Sequence, residues 1–186
     1  MAAEGLARLQ AKFRGDRSRA VHGARAREGA QLVCPYVASS PSVCEALVNA
    51  AELVPGDVCF DLGCGDGSVL VEAAKRGVAN LSLHGVDIDH VLVATAKRRL
   101  AEFQQVLVEE RDILDLDLQN ASVVFTFLVP ECMSVLSGRF RASLRPGTRI
   151  CCYKFGLPGW TADATWAVED VMKPVGGEAL VYRYIV

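Results

Sequence analysis

The sequence predicts an α/β fold, a doubly wound and mostly parallel seven-stranded sheet with an antiparallel C-terminal hairpin. Three observations lead to this class. From residue 40 onward, short apolar runs typical of strands alternate with helical patterns. Some of these runs are almost continuously apolar, as strands are when both faces of a parallel sheet are covered. The two strand-like runs nearest the C-terminus are separated by a Gly-Gly pair instead of a helix.

The predicted elements follow one another in a regular order. The first helix runs from Pro41 to about Leu53, with Ser40 as its N-cap and proline at its first position. Further helices are expected over 66–77, 90–103 and 130–144. Parallel strands are expected over 57–62, 81–89, 105–109, 121–128 and 147–155, and the closing hairpin over 164–172 and 179–186.

The charge of the chain is unevenly distributed. Residues 1–30 carry seven basic and three acidic side chains, a net +4, which leaves −6 for the rest of a chain with net charge −2. We therefore expect a basic N-terminal helical arm over 1–33 and one domain over 34–186. Leu6, Leu9 and Phe13 give the arm a weak amphipathic pattern. A mitochondrial transit peptide and a nucleic-acid-binding arm are the alternatives.

Composition excludes several classes of protein. The chain has seven cysteines but no C-x-x-C pair, which we interpret as reduced thiols of an intracellular protein. The three histidines lack metal-ligand spacing, so we expect no metal site. No apolar run approaches the ~20 residues of a membrane span, and no secretory signal is recognisable. The acidic main body makes nucleic acid an unlikely partner.

The segment D-L-G-C-G-D-G, residues 61–67, is the strongest candidate binding site. It follows the first predicted parallel strand, at the sheet edge where such folds bind ligands. Gly63 and Gly65 permit a tight turn and close approach of a ligand to the backbone. Asp61 and Asp66 would repel a diphosphate and attract a cationic ligand such as S-adenosylmethionine. Ser68 stands where the dinucleotide pattern has its last glycine, which disfavours a nicotinamide oxidoreductase.

Acids also follow the second and third strands. Asp87 ends the second strand, 20 residues beyond Gly67, where a carboxylate can accept hydrogen bonds from ribose hydroxyls. Ile88 follows it as a further candidate cofactor contact. Asp112 is placed to accept from the adenine amine, with Ile113 beside the ring. Acids at strand ends can instead simply cap helices, and this alternative stays open, above all for Asp112.

With these motifs, residues 35–155 resemble the class I S-adenosylmethionine-dependent methyltransferases, whose fold is Rossmann-like. The segments P-Y-V, F-L-V-P-E and F-G-L-P-G-W narrow the resemblance. They are similar to those of small protein-lysine N-methyltransferases that act on the adenine nucleotide translocase and the ATP synthase c-subunit, and of their prokaryotic relatives. The resemblance implies S-adenosyl-L-methionine as cofactor and a protein substrate carrying a lysine. Two features depart from it: Glu131 replaces an expected small residue, and the membrane segment of some eukaryotic relatives is missing.

Four residues are candidates for the catalytic role. A lysine acceptor must lose a proton before it attacks, and an apolar channel lowers its pKa. Phe127 and Pro130 would lie next to the glycine loop, and Tyr36 and Trp160 are candidate channel walls. Each also has a structural explanation: a core ring, a helix start, or a ring that covers the sheet edge. Lys154 we interpret as a solvent contact at a strand end.

The sequence therefore predicts an S-adenosylmethionine-dependent methyltransferase, with a protein lysine as the favoured acceptor. The alternatives are methylation of RNA or a small molecule, and a catalytically silent cofactor-binding module. Residues 127–130 do not form the [DN]-P-P-[YF] tetrapeptide of adenine-base methyltransferases. An intracellular location is expected, either mitochondrial or cytoplasmic. The sequence gives no indication of the oligomeric state.

Overall fold

A computed structural model describes residues 34, 36–169 and 179–186 of the chain. The predicted basic arm over 1–33 lies outside the described residues, as does the Gly-Gly pair of the predicted hairpin.

The centre of the domain is a seven-stranded sheet. The strands are β1 (Val58–Leu62), β2 (Ser82–Asp87), β3 (Val106–Glu110), β4 (Val123–Thr126), β5 (Arg149–Tyr153), β6 (Ala164–Ala167) and β7 (Leu180–Ile185). Their spatial order in the sheet is β3-β2-β1-β4-β5-β7-β6. Strand β7 runs antiparallel to β5 and β6, whereas the pairs β3–β2, β2–β1, β1–β4 and β4–β5 are parallel. The predicted fold class and its antiparallel C-terminal strands are thus confirmed.

Four α-helices are present in the described residues: α1 (Pro41–Ala51), α2 (Ser68–Lys75), α3 (His90–Arg99) and α4 (Pro130–Ser143). The predicted start of α1 is confirmed, because the Ser40 hydroxyl accepts from the amide of Val43. This helix stops before the predicted Leu53, since Glu52 takes a left-handed conformation with φ 47°. Within the described residues, no helix has both the length and the apolar character that crossing a membrane requires.

Side chains from the two faces of the sheet form two separate cores. The first lies under α1, α2 and α3, and the second is filled largely by α4. Cys151 belongs to the first core and Cys152 to the second, as expected for neighbours on a strand. All seven cysteines lie in the described residues, and no disulfide joins them.

The sheet order reverses at β1, which lies between β2 on one side and β4 on the other. The carboxyl ends of these strands leave a crevice at such a reversal. Two connections within the described residues contain no α-helix. Residues 111–122, between β3 and β4, contain one 3-10 turn (Ile113–Asp115) that the sequence did not predict, and residues 154–163 contain no helix.

Candidate active site

A cleft opens at the carboxyl ends of β1, β2 and β4. Its walls are the glycine loop 61–67, the residues that follow β2, β3 and β4, and Cys34 with residues 36–39, which lead into α1. This arrangement brings together ten of the twelve residues proposed from sequence for cofactor binding or catalysis. They are Tyr36, Asp61, Gly63, Gly65, Asp66, Asp87, Ile88, Asp112, Ile113 and Phe127.

The glycine loop passes close to other parts of the cleft wall. Gly63 and Gly65 have φ values of 76° and 53°, in the left-handed region that disfavours side chains. A Cβ atom on Gly65 would lie 2.4 Å from Cε2 of Tyr36, and one on Gly63 would lie 2.8 Å from Cδ2 of Leu128. The amide of Gly63 donates to the carbonyl of Val86 at 2.9 Å, which fixes the loop to β2. Both glycines are therefore required by backbone conformation and by space.

Asp61 is a buried carboxylate that faces the cleft. Its side chain is 4% exposed, and its Oδ2 atom has no hydrogen-bond partner. Burial, together with the charges of Asp87 and Asp66, raises the pKa of Asp61 to about 8. A buried acceptor without a donor is costly, so this oxygen suits a ligand that brings a donor or a positive charge.

Asp87 joins the end of β2 to the glycine loop. Its Oδ2 accepts from the amide of Gly65 at 2.8 Å, and its Oδ1 accepts from the amide of Asp89 at 2.9 Å. Burial raises the pKa of this carboxyl, while the two amides act in the opposite direction. Each carboxylate oxygen has two acceptor sites, so Asp87 retains capacity for hydroxyl donors of a ligand.

Asp66 lines the cleft, but its negative charge is largely compensated by neighbouring side chains of the protein. It forms an ion pair with Arg99 of α3, and its Oδ1 accepts from the Ser68 hydroxyl at 2.7 Å. It is also hydrogen-bonded to Tyr36, whose pKa is raised by burial and by this neighbouring carboxylate. The loop charge inferred from sequence must therefore be corrected. Compensation of Asp66 by Arg99 leaves Asp61 and Asp87 as the acidic side chains of the loop region that lack a cationic partner among the described residues.

The opposite end of the cleft is bounded by residues that follow β2 and β3. Ile88 is 43% exposed, and Ile113 packs against the second core. Asp112 caps the 3-10 turn, since its Oδ1 accepts from the amide of Leu114 at 2.9 Å. Asp112 therefore caps a helical turn, which is the alternative that the sequence left open. Its second carboxylate oxygen is the atom that remains to accept a hydrogen bond from a ligand.

The four candidate catalytic residues do not lie together. Phe127 lines the cleft and packs edge-on against Tyr153, with ring centroids 4.7 Å apart. Pro130 is exposed at the first position of α4. Trp160 lies outside the cleft, where its Nε1 donates to the Ser137 hydroxyl at 2.9 Å.

Trp160 instead links residues 154–163, the connection that follows β5, to helix α4. The guanidinium of Arg141 lies 4.3 Å from its ring centroid, and Tyr184 packs edge-on against it. Lys154 also differs from its interpretation as a solvent contact, because it is only 9% exposed. Its φ of 67° turns the chain at the end of β5, and its amide donates to the carbonyl of Leu180.

The cleft also contains residues that sequence reasoning missed. Cys34 and Cys132 line it near the start of α4, and Arg111 lines it at the end bounded by Ile88. Lone cysteines and an arginine in a charged run carry no recognisable pattern, so no sequence signal identified them. In the described part of the chain, no group of three or more His, Cys, Asp and Glu side chains could hold a metal ion.

Comparison with known proteins identifies similar sequences. Over 139 residues the chain is 27% identical to a protein-lysine N-methyltransferase of Saccharolobus islandicus, which covers 73% of this chain and 86% of that relative. Over 150 residues it is 27% identical to the mouse adenine nucleotide translocase lysine N-methyltransferase. That match covers 75% of this chain, and the chain spans 64% of the mouse protein.

Solved structures give the same class. An RNA methyltransferase of Salinibacter ruber in complex with S-adenosyl-L-homocysteine superposes with a TM-score of 0.70 at 27% identity, covering 80% of this chain and 93% of that one. TrmN of Thermus thermophilus shares the fold, with a TM-score of 0.58 at 18% identity over 77% of this chain and 48% of its own. The family described as the ANTKMT methyltransferase domain matches residues 61–164. The chain therefore belongs to this family and is an S-adenosylmethionine-dependent methyltransferase.

Proposed function

We propose that this protein is a protein-lysine N-methyltransferase. The observation that carries the proposal is the apolar end of the cleft, where Phe127, Leu128 and Cys132 lie beside the glycine loop. Such surroundings favour a neutral amine over an ammonium. The names of the archaeal and mouse relatives, both lysine methyltransferases, support the same acceptor.

The residues of the cleft fit S-adenosylmethionine. The orphaned Oδ2 of Asp61 suits its ammonium group, and the remaining acceptor sites of Asp87 suit its ribose hydroxyls. Ile88 and Ile113 offer apolar surface for the adenine ring, and Asp112 offers an acceptor for its amine. When bound, the cofactor supplies an activated methyl group on a sulfonium sulfur.

The protein's own contribution would be to strip water from the acceptor and to orient it. A lysine amine in water has a pKa near 10.4, so only ~0.1% of it is neutral at pH 7.4. Phe127 and Leu128 offer an apolar wall that lowers this pKa. Tyr36, held between Gly65 and Asp66, forms the facing wall. We propose no direct acceptor contact for Trp160, which lies outside the cleft.

The lysine acceptor is tested with isotopically labelled cofactor and cell extract. We expect label in protein, resistant to nuclease, lost on protease treatment, and recovered as methyl-lysine after hydrolysis. Label in RNA would contradict the proposal. RNA is the second candidate because of the similarity to the Salinibacter ruber enzyme. The acidic charge of residues 31–186 opposes it.

We further propose an intracellular location, mitochondrial or cytoplasmic, with residues 1–33 as an arm separate from the domain 34–186. Seven cysteines without a disulfide support a reducing compartment. The name of the mouse relative's substrate favours the mitochondrion. Fractionation of cells that express the chain with a C-terminal tag tests this, and recovery from the culture medium would contradict it.

A further inference from the structure

We infer that Glu131 makes the enzyme prefer acceptor lysines that stand in a positively charged stretch of the substrate protein. The inference rests on the proposed lysine acceptor and adds the class of sequence around it. Glu131 is also the position at which this chain departs from the small residue expected after the proline.

Glu131 lies beside the apolar end of the cleft. It is an exposed residue in the first turn of α4, between Leu128 and Cys132, both of which line the cleft. Cys34 also lines the cleft, and its sulfur is hydrogen-bonded to the backbone of Val129. Burial raises the pKa of both Cys34 and Cys132, and in each case the charge of Glu131 adds to the effect. A substrate segment entering beside Phe127 therefore passes this carboxylate.

Each of the carboxylates that line the cleft caps a helical turn, forms an ion pair or faces the cofactor end. Asp66 is paired with Arg99, Asp89 caps α3, Asp112 caps the 3-10 turn, and Asp61 and Asp87 face the cofactor end. Glu131 differs from all of these. No hydrogen bond or ion pair involves its side chain within residues 34, 36–169 and 179–186, so its charge faces solvent.

Glu131 is suited to attract a cation. It is an exposed acidic residue in the first turn of α4, and no basic side chain of the described residues forms an ion pair with it. Because the carboxylate lies at the rim, we expect it to act on substrate association, and thus on KM rather than kcat.

The test uses a peptide library with one central lysine and neighbouring positions occupied by Arg, Gln or Glu. Its readout is methyl-lysine formed from labelled cofactor. An exposed ion pair corresponds to about a two- to fivefold change in KM. We expect the wild type to prefer Arg neighbours by this factor, Glu131→Gln to lose the preference, and Glu131→Arg to prefer Glu neighbours. Raising ionic strength to about 0.5 M should reduce the difference, because such pairs are screened.

Glu102→Gln is the matched control. Glu102 is an exposed acid between α3 and β3, on the connection that leads to the amino edge of the sheet, and it does not line the cleft. Calorimetric affinity for S-adenosylhomocysteine should be unchanged in all these variants. An unchanged neighbour preference in Glu131→Gln, or an equal loss in Glu102→Gln, would overturn the inference while leaving the lysine acceptor in place. Absence of methyl-lysine from both the peptides and extract proteins, with normal cofactor affinity, would remove the proposed function and the inference together.

Discussion

At the scale of single residues, Asp61 shows how a binding site lowers the stability of the free protein. Its carboxyl has a folded-state pKa of about 8, above the value of about 3.9 in an unfolded chain. Between pH 4 and pH 8, the folded state thus holds a proton that the unfolded state has already released. Its contribution to stability is present below pH 4 and is lost as the pH rises towards 8.

Replacing Asp61 by Asn should therefore stabilise the free enzyme at neutral pH. We expect no change in melting temperature at pH 4, and a gain of at least about 1 kcal/mol at pH 7.5, since one pKa unit corresponds to about 1.4 kcal/mol. The same variant should lose most of its cofactor affinity, because an amide cannot ionise to pair with the ammonium group of the cofactor. Calorimetric melting from pH 4 to pH 8 measures the first effect and titration the second. A melting difference that does not depend on pH would show that burial does not perturb this carboxyl.

Gly65 gives a second prediction at this scale. In Gly65→Ala, the new Cβ would lie 2.4 Å from the Tyr36 ring, at a φ of 53°. The left-handed conformation alone costs about 1–2 kcal/mol. We expect cofactor affinity to fall at least ~10-fold, as measured by calorimetry. Gly138→Ala is the matched control: it lies in α4 with no atom near its Cβ position, and should stabilise the protein by about 0.5–1 kcal/mol. Equal behaviour of the two variants would contradict our account of the loop.

At the scale of elements, the order of strands and the acids that they bring to the cleft were predictable from sequence, whereas contacts between distant elements were not. Asp61 and Asp87 could be placed because each ends an apolar run, and parallel strands bring their carboxyl ends to one edge. The ion pair of Asp66 with Arg99 depends on the distance between the glycine loop and the far end of α3, which no local pattern encodes.

The residue at which a strand ends was harder to predict where apolar residues both continue the strand pattern and line the cleft. Phe127 and Leu128 continue the apolar run of β4 but lie beyond its last residue, Thr126, and line the cleft. A hydrophobic pattern records burial but does not separate a sheet from a cleft wall. For the same reason the sequence could not show whether Trp160 faces the acceptor or covers α4.

The contacts of Trp160 predict that it matters to stability more than to turnover. Trp160→Ala would remove the hydrogen bond to Ser137 and the packing on Arg141 and Tyr184. We expect a loss of about 1–3 kcal/mol, less than for a fully buried tryptophan. In a protein of this size that lowers the melting temperature by several degrees. Turnover of the folded enzyme should stay within about twofold of wild type. A normal melting curve with a large loss of turnover would instead place this ring in the acceptor channel.

At the scale of the whole molecule, cofactor binding should stabilise the domain, because the cleft joins the glycine loop, residues 36–39 and the ends of β2, β3 and β4. A ligand at 100 times its Kd stabilises a protein by about 2.7 kcal/mol. For a chain of this length we expect S-adenosylhomocysteine to raise the melting temperature by about 5–10 °C. NAD at the same concentration should leave it unchanged, and an equal shift with NAD would contradict our account of the cofactor.

The position of β7 has a consequence for synthesis of the chain. Strand β7 lies between β5 and β6 in the sheet but follows both in sequence. Until β7 has been made and released, β5 has an open edge and β6 has no strand partner. A purified chain truncated after residue 178 should therefore be cut by protease within 164–169, whereas the chain that ends at residue 186 should resist. Sheet completion thus follows translation of β7, and until then the open edge of β5 can pair with other chains.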